Sequence, residues 1–301
     1  MPHVTCVGIA VLDLVFRVDT HPTEPGKYRA ATRREVGGGV AANASVTVTA
    51  LGGEAAFIGC VGDDPTGDRI VAGLEARGVD VAAVRRVVGA ASPLSAVLVD
   101  AAGERLIVNH ASPELFDEGH PVEPHELAGT DAVLTDMRWP DGAVPALVAA
   151  RAAGIPAIVD CDHNPSVNRG AAILAAATHV IFSLPTLTAF TGAADAEEAI
   201  RRASEHTDAW VATTAGDDGV YWLDGGAVRH RPASAVDVVD TLGAGDVFHG
   251  AFALAIVEGR SVEQAVRFAS AAAALKCTRP GGRAGIPGRP DVDAFLAERD
   301  R

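Results

Sequence analysis

The sequence predicts an α/β protein with a mainly parallel central sheet flanked by helices and with a small additional β-sheet. Two observations support this prediction. Short apolar runs alternate with amphipathic or alanine-rich stretches of helical length, as they do in βαβ units. Residues 12–36 and 92–110 break that alternation, because each reads as a pair of strands joined by turn residues without a crossover helix. Since no repeat, low-complexity tract or linker divides the chain, we expect one domain over residues 1–301.

The elements of the main domain follow from length and spacing of the apolar residues. Apolar runs of strand length predict core strands at 3–9, 55–60, 131–135, 156–160, 179–182 and 209–213. Helical spacing predicts helices at 39–52, 65–77, 142–153, 195–204, 244–258, 262–277 and 291–299.

The two predicted strand pairs are expected to form one small sheet beside the main domain. Such a sheet has exposed edges with unpaired backbone groups. We therefore expect the protein to self-associate through this sheet as a homodimer. Two separate surface hairpins are the simpler alternative for the same residues.

Composition disfavours several classes of function. With 301 residues and 48% hydrophobic content, the chain can bury a sizeable core. Its formal net charge of −14 disfavours nucleic acid or an anionic membrane as a partner, because a polyanion would be repelled. No run of about eighteen uncharged apolar residues is available to cross a membrane. The four cysteines lack metal-binding spacing, so we expect reduced thiols in a cytoplasmic protein.

The stretch DTLGAGD at 240–246 combines two glycines with an acid where a helical pattern begins. Gly243 and Gly245 allow a tight turn whose N–H groups converge at a helix N-terminus, and such a site attracts phosphate. Asp246 would repel that phosphate, but as a base it could take a proton from an attacking hydroxyl. The alternative is that Asp246 only caps the helix, and the stretch alone does not decide between these roles.

A second glycine cluster, VGGGVAAN at 36–43, has two interpretations. It contains G-x-G-x-x-A, so an NAD-dependent oxidoreductase is one option. The cluster follows the accessory strands and not the first core strand, however, which disfavours a dinucleotide fold. Its glycines would instead let a hydroxylated ligand approach the backbone, with Asn43 as donor and acceptor. Asp13 could accept from sugar hydroxyls or simply form a turn.

Together these motifs resemble those of the ribokinase-like, PfkB-family carbohydrate kinases, from VGIAVLD near the N-terminus to KCTRPGGRAGIP near the C-terminus. The resemblance implies a ribokinase-like fold whose small sheet is a lid, with ATP as phosphate donor and Mg²⁺ to neutralise the triphosphate. It implies that Asp246 is the catalytic base, and that an anion hole is formed by the amides of Gly243, Ala244 and Gly245. The positions that match the family's sugar contacts are Asp13, Gly38, Gly39 and Asn43.

The resemblance also places the nucleotide. VATTAGDDG at 211–219 is similar to the family's nucleotide loop, and the positions expected near ATP are Thr214, Gly216 and Gly219. A wall beside the adenine is expected from Ala273, Lys276 and Cys277.

The ions are less defined. Many relatives carry N-x-x-E to support Mg²⁺, whereas the corresponding residues here are Ser183 and Thr186, so the metal ligands are left open. Asp160 and Asp162 could act through water, or could simply be solvated. A monovalent cation near Asp240 is a further option that the family offers.

Within the family, four stretches resemble kinases that phosphorylate the 1-hydroxyl of 6-deoxy-6-sulfofructose. They are GKY at 26–28, GERLIVNHASPEL at 103–115, DMRW at 136–139 and LKCTRPGGRAGIP at 275–287. This narrower resemblance implies that Lys27, Asn109 and Arg138 bind an anionic group of the sugar. A sulfonate suits two cations and an amide donor, whereas a neutral sugar would not offset the desolvation of the cations.

Several alternatives stay open at this stage. Lys27 and Arg138 could be solvated surface charges. The acceptor could be fructose, ribose, 2-keto-3-deoxygluconate or a nucleoside. A noncatalytic sugar or nucleotide sensor on the same fold is a third option, because a fold alone does not fix activity.

Overall fold

The structure, a computed structural model, describes residues 1–116, 121–163, 165 and 169–299. Within these residues the strands are β1 (His3–Val7), β2 (Val11–Arg17), β3 (Thr32–Gly38), β4 (Glu54–Ile58), β5 (Cys60–Gly62), β6 (Arg85–Val87), β7 (Leu94–Val99), β8 (Arg105–His110), β9 (Ala132–Thr135), β10 (Ala157–Cys161), β11 (His179–Ser183), β12 (Trp210–Thr214), β13 (Val220–Asp224) and β14 (Ala227–Arg231). The helices are α1 (Val40–Ala50), α2 (Pro65–Glu75), α3 (Pro140–Ala152), α4 (Gly170–Ala176), α5 (Leu184–Thr191), α6 (Ala196–Ala203), α7 (Ala244–Val257), α8 (Val262–Cys277) and α9 (Arg289–Arg299).

The central sheet has eight strands in the order β14-β13-β12-β11-β10-β9-β1-β4. From β12 to β4 neighbouring strands are parallel, while β13 and β14 extend one edge as an antiparallel hairpin. All six predicted core strands are present in it. They read as continuous apolar runs because a parallel sheet is covered on both faces. The mainly parallel α/β architecture predicted from the sequence is therefore confirmed.

Each face of the sheet has its own apolar core. On one face α1, α7 and α8 pack together, with Leu51, Phe252 and Phe268 fully buried. On the other face lie α3 to α6, with Trp139 and Phe182 fully buried. Burying one such side chain stabilises a fold by about 1.5–3 kcal/mol. These two layers hold the carboxyl edge of the sheet rigid, and that edge carries the candidate site.

Segments 12–36 and 92–110 form one separate sheet in the order β3-β2-β7-β8, called the lid sheet below. β2 pairs antiparallel with β3 and parallel with β7, and β7 pairs antiparallel with β8. The two predicted strand pairs are thus joined, and the alternative of two separate hairpins is wrong. β5 and β6 form a further two-stranded parallel sheet that was not predicted.

The seven predicted helices are all present, with ends within two residues of the predicted ones. Two short helices, α4 and α5, were missed. α5 begins directly after β11, so no polar turn separates the two elements in the sequence. No helix in the described part of the chain has the length and apolar character needed to cross a membrane.

Candidate active site

The candidate site lies at the carboxyl edge of the central sheet. Because neighbouring parallel strands end at the same edge, the residues within one position of their ends lie side by side. For β9, β10, β11 and β12 these residues are Asp136, Asp160, Ser183 and Thr214. The N-termini of α1 and α7 reach the same region, where Asn43 in α1 contacts Asp246 in α7.

A chain of hydrogen bonds runs from Asp246 into the interior. The Nδ2 of Asn43 donates to Oδ2 of Asp246 at 2.6 Å. The Oδ1 of Asn43 accepts from Nε of Arg283 at 2.7 Å, so both ends of the amide are fixed. Arg283 is buried, and its Nη2 also donates to the carbonyl of Gly38 at 2.7 Å. The Asp246 carboxylate is thus held in one orientation by residues 203 and 37 positions away in the chain.

Electrostatics make Asp246 a suitable base near neutral pH. Burial raises the pKa of Asp246 to about 7, the nearby Asp160 carboxylate adds to the rise, and the Asn43 hydrogen bond opposes it. One turn along α7, the buried His249 has Nδ1 2.9 Å from Oδ2 of Asp160. Burial lowers the pKa of His249, but the Asp160 charge and hydrogen bond outweigh it and raise the pKa to about 9. An imidazolium–carboxylate pair therefore supports the helix turn that carries Asp246.

The loop before α7 has the geometry expected of an anion-binding turn at two of its three predicted amides. Gly243 caps α7 with φ 77°, a left-handed conformation that suits glycine. Among the described residues, the N–H groups of Gly243 and Gly245 have no acceptor, whereas the N–H of Ala244 donates to the Thr241 carbonyl at 3.2 Å. Gly245 is exposed, and a Cβ placed on it would meet no atom within 4 Å. The role of these amides as an anion hole stays a prediction.

The second glycine cluster forms the start of α1. Gly38 ends β3, and Gly39 caps α1 with φ 95°, where a Cβ would lie 2.4 Å from the Ile9 carbonyl. A Cβ on Gly38 would lie 2.3 Å from Oδ2 of Asp13, so the predicted sugar contacts are adjacent. The cluster follows a strand of the lid sheet and not β1, which removes the basis for the dinucleotide interpretation.

A buried carboxylate that the sequence analysis did not select ties this start of α1 to the central sheet. Oδ2 of Asp136 accepts from the N–H groups of Ile9 at 2.7 Å and Ala41 at 3.3 Å. Its Oδ1 accepts from the N–H of Arg138 at 2.9 Å. Burial raises the pKa of Asp136 to about 6, and these backbone donors oppose the rise. Asp136 therefore caps α1 in place of a local side chain.

A row of polar residues crosses the lid sheet on the side of the site. Asp13 in β2 is paired with Ser95 in β7, and Ser95 is paired with Asn109 in β8. Nδ2 of Asn109 donates to Oγ of Ser95 at 3.1 Å. Burial raises the pKa of Asp13, while a hydrogen bond from Ser95 and the charge of Arg283 lower it. The structure thus joins two predicted sugar residues, Asp13 and Asn109, through Ser95, which was not predicted.

The two predicted cations lie in different settings. Lys27 is exposed in the segment between β2 and β3 and has no hydrogen-bond or ion-pair partner in the described part of the chain. Arg138 follows β9, and its Nη2 is 2.5 Å from Oδ2 of Asp162. With 41% of its side chain exposed, Arg138 still presents guanidinium N–H groups to solvent. Asp162 therefore offsets part of the charge of Arg138, and the role of Arg138 in binding an anionic group stays a prediction.

The predicted nucleotide loop is a tight turn after β12. Gly216 and Gly219 have φ of 60° and 102°, and a Cβ on Gly219 would lie 2.1 Å from the Arg231 carbonyl. Thr214 ends β12 next to Ser183 of β11. On α8, Ala273 and Cys277 are half-buried.

Lys276 does not fit the adenine wall that the sequence predicted. Its side chain is buried, and Nζ donates to the Asp240 carbonyl at 3.1 Å and the Arg279 carbonyl at 3.3 Å. The ammonium thus points to the loop that precedes α7. Helical position alone could not show this, because lysine is seldom fully buried.

The described residues do not fit a protein-held Mg²⁺ site. Oγ of Ser183 donates to Oγ1 of Thr186 at 2.9 Å, so these hydroxyls bond each other. Asp160 is paired with His249, and Asp162 with Arg138. Across the described ranges, no group of three or more His, Cys, Asp or Glu side chains could hold a metal ion. Mg²⁺ as a companion of the triphosphate stays an expectation from the chemistry of phosphoryl transfer.

Comparison with known proteins gives a consistent result over nearly the whole chain. The profile described as pfkB family carbohydrate kinase matches residues 1–289. The ATP-dependent ribose-1-phosphate kinase of Halopiger xanaduensis is 33% identical over 99% of this chain and 99% of its own length. The ribokinase of Bacillus subtilis is 28% identical over 99% of this chain and 100% of its own length.

Solved structures agree with that result. A candidate ribokinase from Agrobacterium tumefaciens is similar with a TM-score of 0.95 at 40% identity, over 100% of this chain and 99% of that chain. The Arabidopsis thaliana ribokinase complexed with ribose and ATP has a TM-score of 0.87 at 26% identity, covering 98% of both chains. These findings confirm the ribokinase-like fold. They do not extend to the narrower resemblance to sulfofructose kinases.

Proposed function

This chain belongs to the pfkB family of carbohydrate kinases and is an ATP-dependent sugar kinase, and we propose that its acceptor is a sugar that carries an anionic group. The proposed reaction transfers the γ-phosphate of ATP to a sugar hydroxyl. Asp246 is the proposed base, and the proposed anion hole comprises the amides of Gly243, Ala244 and Gly245.

The proposed mechanism assigns proton transfer to Asp246. A sugar hydroxyl placed beside its carboxylate gives up its proton to Asp246 as the oxygen attacks the γ-phosphorus. Asn43 and Arg283 hold the carboxylate toward the hydroxyl. The amides at the start of α7 then receive the charge that builds up on the transferred group, which is the usual contribution of fixed N–H donors.

The sugar is proposed to lie between the start of α1 and the lid sheet. From the lid sheet, Asp13 would contact its hydroxyls and Asn109 its anionic group, with Ser95 holding the two in register. Gly38 and Gly39 leave room for close approach of the sugar to the backbone.

One observation supports the proposal of an anionic acceptor. The Asp136 carboxylate accepts hydrogen bonds both from the start of α1 and from the backbone of Arg138. The backbone of Arg138 is therefore fixed to the segment where the proposed sugar contacts begin. The bond of the guanidinium to Asp162 uses part of its five N–H donors and leaves others for a ligand. Arginine suits a sulfonate or phosphate because its donors form a planar fork. Lys27, on the lid side, would supply a second cation.

Two anionic acceptors have specific support. The stretches around Lys27, Asn109 and Arg138 resemble kinases of 6-deoxy-6-sulfofructose, which makes the 1-hydroxyl of this sugar the first candidate. Similarity to a ribose-1-phosphate kinase at 33% identity favours a sugar phosphate as the second. The chain is also similar to ribokinases, so neutral ribose is the reference sugar. The kcat/KM for an anionic acceptor should exceed the kcat/KM for ribose.

An ADP-release assay across defined sugars tests this proposal. The panel is 6-deoxy-6-sulfofructose, ribose 1-phosphate, fructose 6-phosphate, 2-keto-3-deoxygluconate, fructose and ribose. We expect the highest kcat/KM with an anionic sugar, the sulfosugar first. For that sugar, Arg138→Ala should lose about 2–5 kcal/mol in kcat/KM, the scale of truncating one partner of a charge pair, here one that the bound sugar would bury.

A matched control distinguishes a binding role from loss of a surface charge. Arg202 is 45% exposed and paired with Glu198, much as Arg138 is paired with Asp162. Arg202→Ala should leave the preference unchanged. Equal turnover of ribose and the anionic sugars, or equal losses on every sugar in Arg138→Ala, would overturn the anionic acceptor and leave the sugar kinase.

Three further proposals complete the assignment. ATP would bind along Thr214, Gly216 and Gly219, with Ala273 and Cys277 near the adenine. The lid sheet would join two copies of the chain as a homodimer. The four cysteines are free thiols, three of them buried, which suits the reducing cytoplasm that we propose as the location.

A further inference from the structure

Lys276 has an unusual position for a lysine. It is one of two lysines in the chain, the other being Lys27, and its side chain is fully buried near the C-terminal end of α8. Gly285 makes room for it, since a Cβ there would lie 3.2 Å from Cδ of Lys276. A buried ammonium is costly unless oxygen acceptors surround it. Its partners therefore indicate what it does.

The ammonium of Lys276 is enclosed by oxygen atoms of two segments. Nζ donates to the carbonyls of Asp240 and Arg279 at 3.1 and 3.3 Å. It lies 3.8 Å from Oδ2 of Asp240, close enough for an ion pair. Two carbonyls and a carboxylate are the kind of oxygen donors that hard cations bind. The side chain thus fills a cation site with its own charge.

The same carboxylate organises the start of the 240–246 loop. Oδ1 of Asp240 accepts from the N–H of Leu242 at 2.9 Å, and Oδ2 accepts from the N–H of Gly281 at 3.0 Å. The carbonyl of Cys277 accepts from the N–H groups of Val239 and Asp240 at 2.8 and 3.0 Å. Because Lys276 joins these segments, its charge affects the position of the amides three to five residues after Asp240.

We propose that the Lys276 ammonium is the built-in cation of the 240–246 loop, and that it takes the place of a separate monovalent cation near Asp240. A metal ion at this point would need the oxygens that Nζ already occupies, and would meet the ammonium at contact distance. The residues present therefore do not fit an additional ion. Lys276 is a positioning residue, since it acts through the loop.

Other charges near Lys276 do not change this picture. Burial lowers the pKa of Lys276, and the Asp240 charge opposes that effect most strongly. Arg105 of the lid sheet is close enough to lower the pKa as well, and its guanidinium donates to the Thr241 hydroxyl. Two cations therefore meet at this loop, which makes a third, mobile cation less favourable still.

The first experiment measures the wild-type protein in tetramethylammonium buffer, with Na⁺, K⁺ or NH₄⁺ exchanged in at constant ionic strength. Two readouts are taken: the rate of ADP release with the best sugar, and the thermal unfolding midpoint without substrates. We expect the rate to change less than about twofold and the midpoint to show no saturable dependence on K⁺. The midpoint does not depend on the proposed sugar, so a wrong substrate and a wrong cation role give different results.

The second experiment removes the ammonium. Lys276→Met keeps most of the aliphatic chain, and Lys276→Ala opens space for an ion. We expect kcat to fall at least about tenfold in tetramethylammonium, because the N–H donors for the phosphate are displaced. K⁺ or NH₄⁺ should restore part of the rate in Lys276→Ala and raise its unfolding midpoint. Arg202→Met, an equal loss of charge at an exposed position outside the candidate site, should show neither cation effect.

Four results would overturn the proposal. One is severalfold activation of the wild-type protein by K⁺ or Na⁺, which stays decisive even if the variants do not fold. Another is full activity of Lys276→Met without an added cation. A third is a folded Lys276→Ala that no cation restores, because the shape of the side chain would then matter and not its charge. The last is equal rescue of Arg202→Met.

Discussion

At the residue scale, the environment of Asp246 serves catalysis at a cost in stability. Its pKa of about 7 comes first from burial and then from the nearby Asp160 carboxylate. A base with a pKa near the working pH combines a useful ionised fraction with enough proton affinity. The same shift means that ionising Asp246 in the folded protein costs free energy. Activity and stability should therefore respond in opposite ways to its removal.

Asp246→Asn should lower kcat by roughly 10²–10⁴ while ATP and sugar still bind, because the amide keeps the shape and cannot accept the proton. In the wild-type protein, kcat should rise with pH through about 7 as the carboxyl loses its proton. The residual rate of Asp246→Asn should not show this rise with pH. Steady-state rates from pH 5 to 9 check the fall in kcat and the loss of its pH dependence, and calorimetric binding of ATP and sugar is the control. Near-normal turnover in Asp246→Asn would mean that Asp246 is only a helix cap.

Asp246→Asn should change the stability of the protein in the opposite direction from its activity. A carboxyl whose folded pKa lies above its ordinary value of 3.8 binds its proton more tightly when folded. Its stabilising contribution is present at low pH and is lost as the pH rises from about 4 to about 7. At pH 8, Asp246→Asn should therefore be more stable to urea by on the order of 1–3 kcal/mol, with the difference vanishing near pH 4. Lower stability at pH 8 would show that the Asn43 bond outweighs the burial.

At the element scale, the start of α7 carries the phosphate chemistry through its backbone. The Gly245 amide has no acceptor among the described residues, and a Cβ placed on this exposed glycine would meet no atom within 4 Å. A side chain there would not collide with the protein but would occupy the region proposed for the phosphate. A substitution can therefore separate the fold from the function.

Gly245→Val should fold normally and lower kcat at least about 10²-fold, because the phosphate can no longer reach the amides. Gly73→Val in α2 is the matched control, since that glycine is also helical and exposed with no atom within 4 Å of a Cβ. We expect circular dichroism and unfolding midpoints to be alike in the two variants while only Gly245→Val loses turnover. Unchanged kinetics in a folded Gly245→Val would contradict the anion hole.

Prediction from sequence succeeded where burial shaped the pattern of residues. The core strands are mainly apolar because helices cover both faces, and α7 and α8 have continuous helical spacing. The edge hairpin β13–β14 was missed because its strands are partly exposed and contain charged residues, so they lack the continuous apolar run used to predict a core strand. Gly225 and Gly226, with φ of 55° and 83°, were the available turn signal.

Local motifs were enough to predict individual residues of the candidate site, but not the hydrogen bonds between residues distant in the chain. The motifs gave Asp246, Asn43 and the glycines, because each needs a particular residue type at a fixed local spacing. Arg283 was missed because its partner Asn43 lies 240 residues away in the chain. Burial of Lys276 is a tertiary property that composition does not reveal.

At the scale of the whole molecule, β8 is one of the two edge strands of the lid sheet. Among the described residues it pairs only with β7, and all six of its residues are exposed. Arg105, Ile107 and Asn109 alternate with Leu106 and Val108, so apolar side chains lie on both faces. Leu106, Ile107 and Val108 are 37%, 52% and 62% exposed. An unpaired strand with exposed apolar residues is a ready template for a second copy of the chain.

We predict that the protein is a homodimer at micromolar concentration and that Val108→Glu shifts it toward the monomer, because a carboxylate at a buried interface would be desolvated without a partner. Val148→Glu is the matched control, since Val148 is 53% exposed on α3, outside the lid sheet. Sedimentation velocity over a range of concentrations measures both. A monomeric wild-type protein, or equal dissociation of the two variants, would refute an interface at β8. The lid role of the sheet would be unaffected, because the Asp13–Ser95–Asn109 row and the contact of Arg105 with Thr241 lie within one chain.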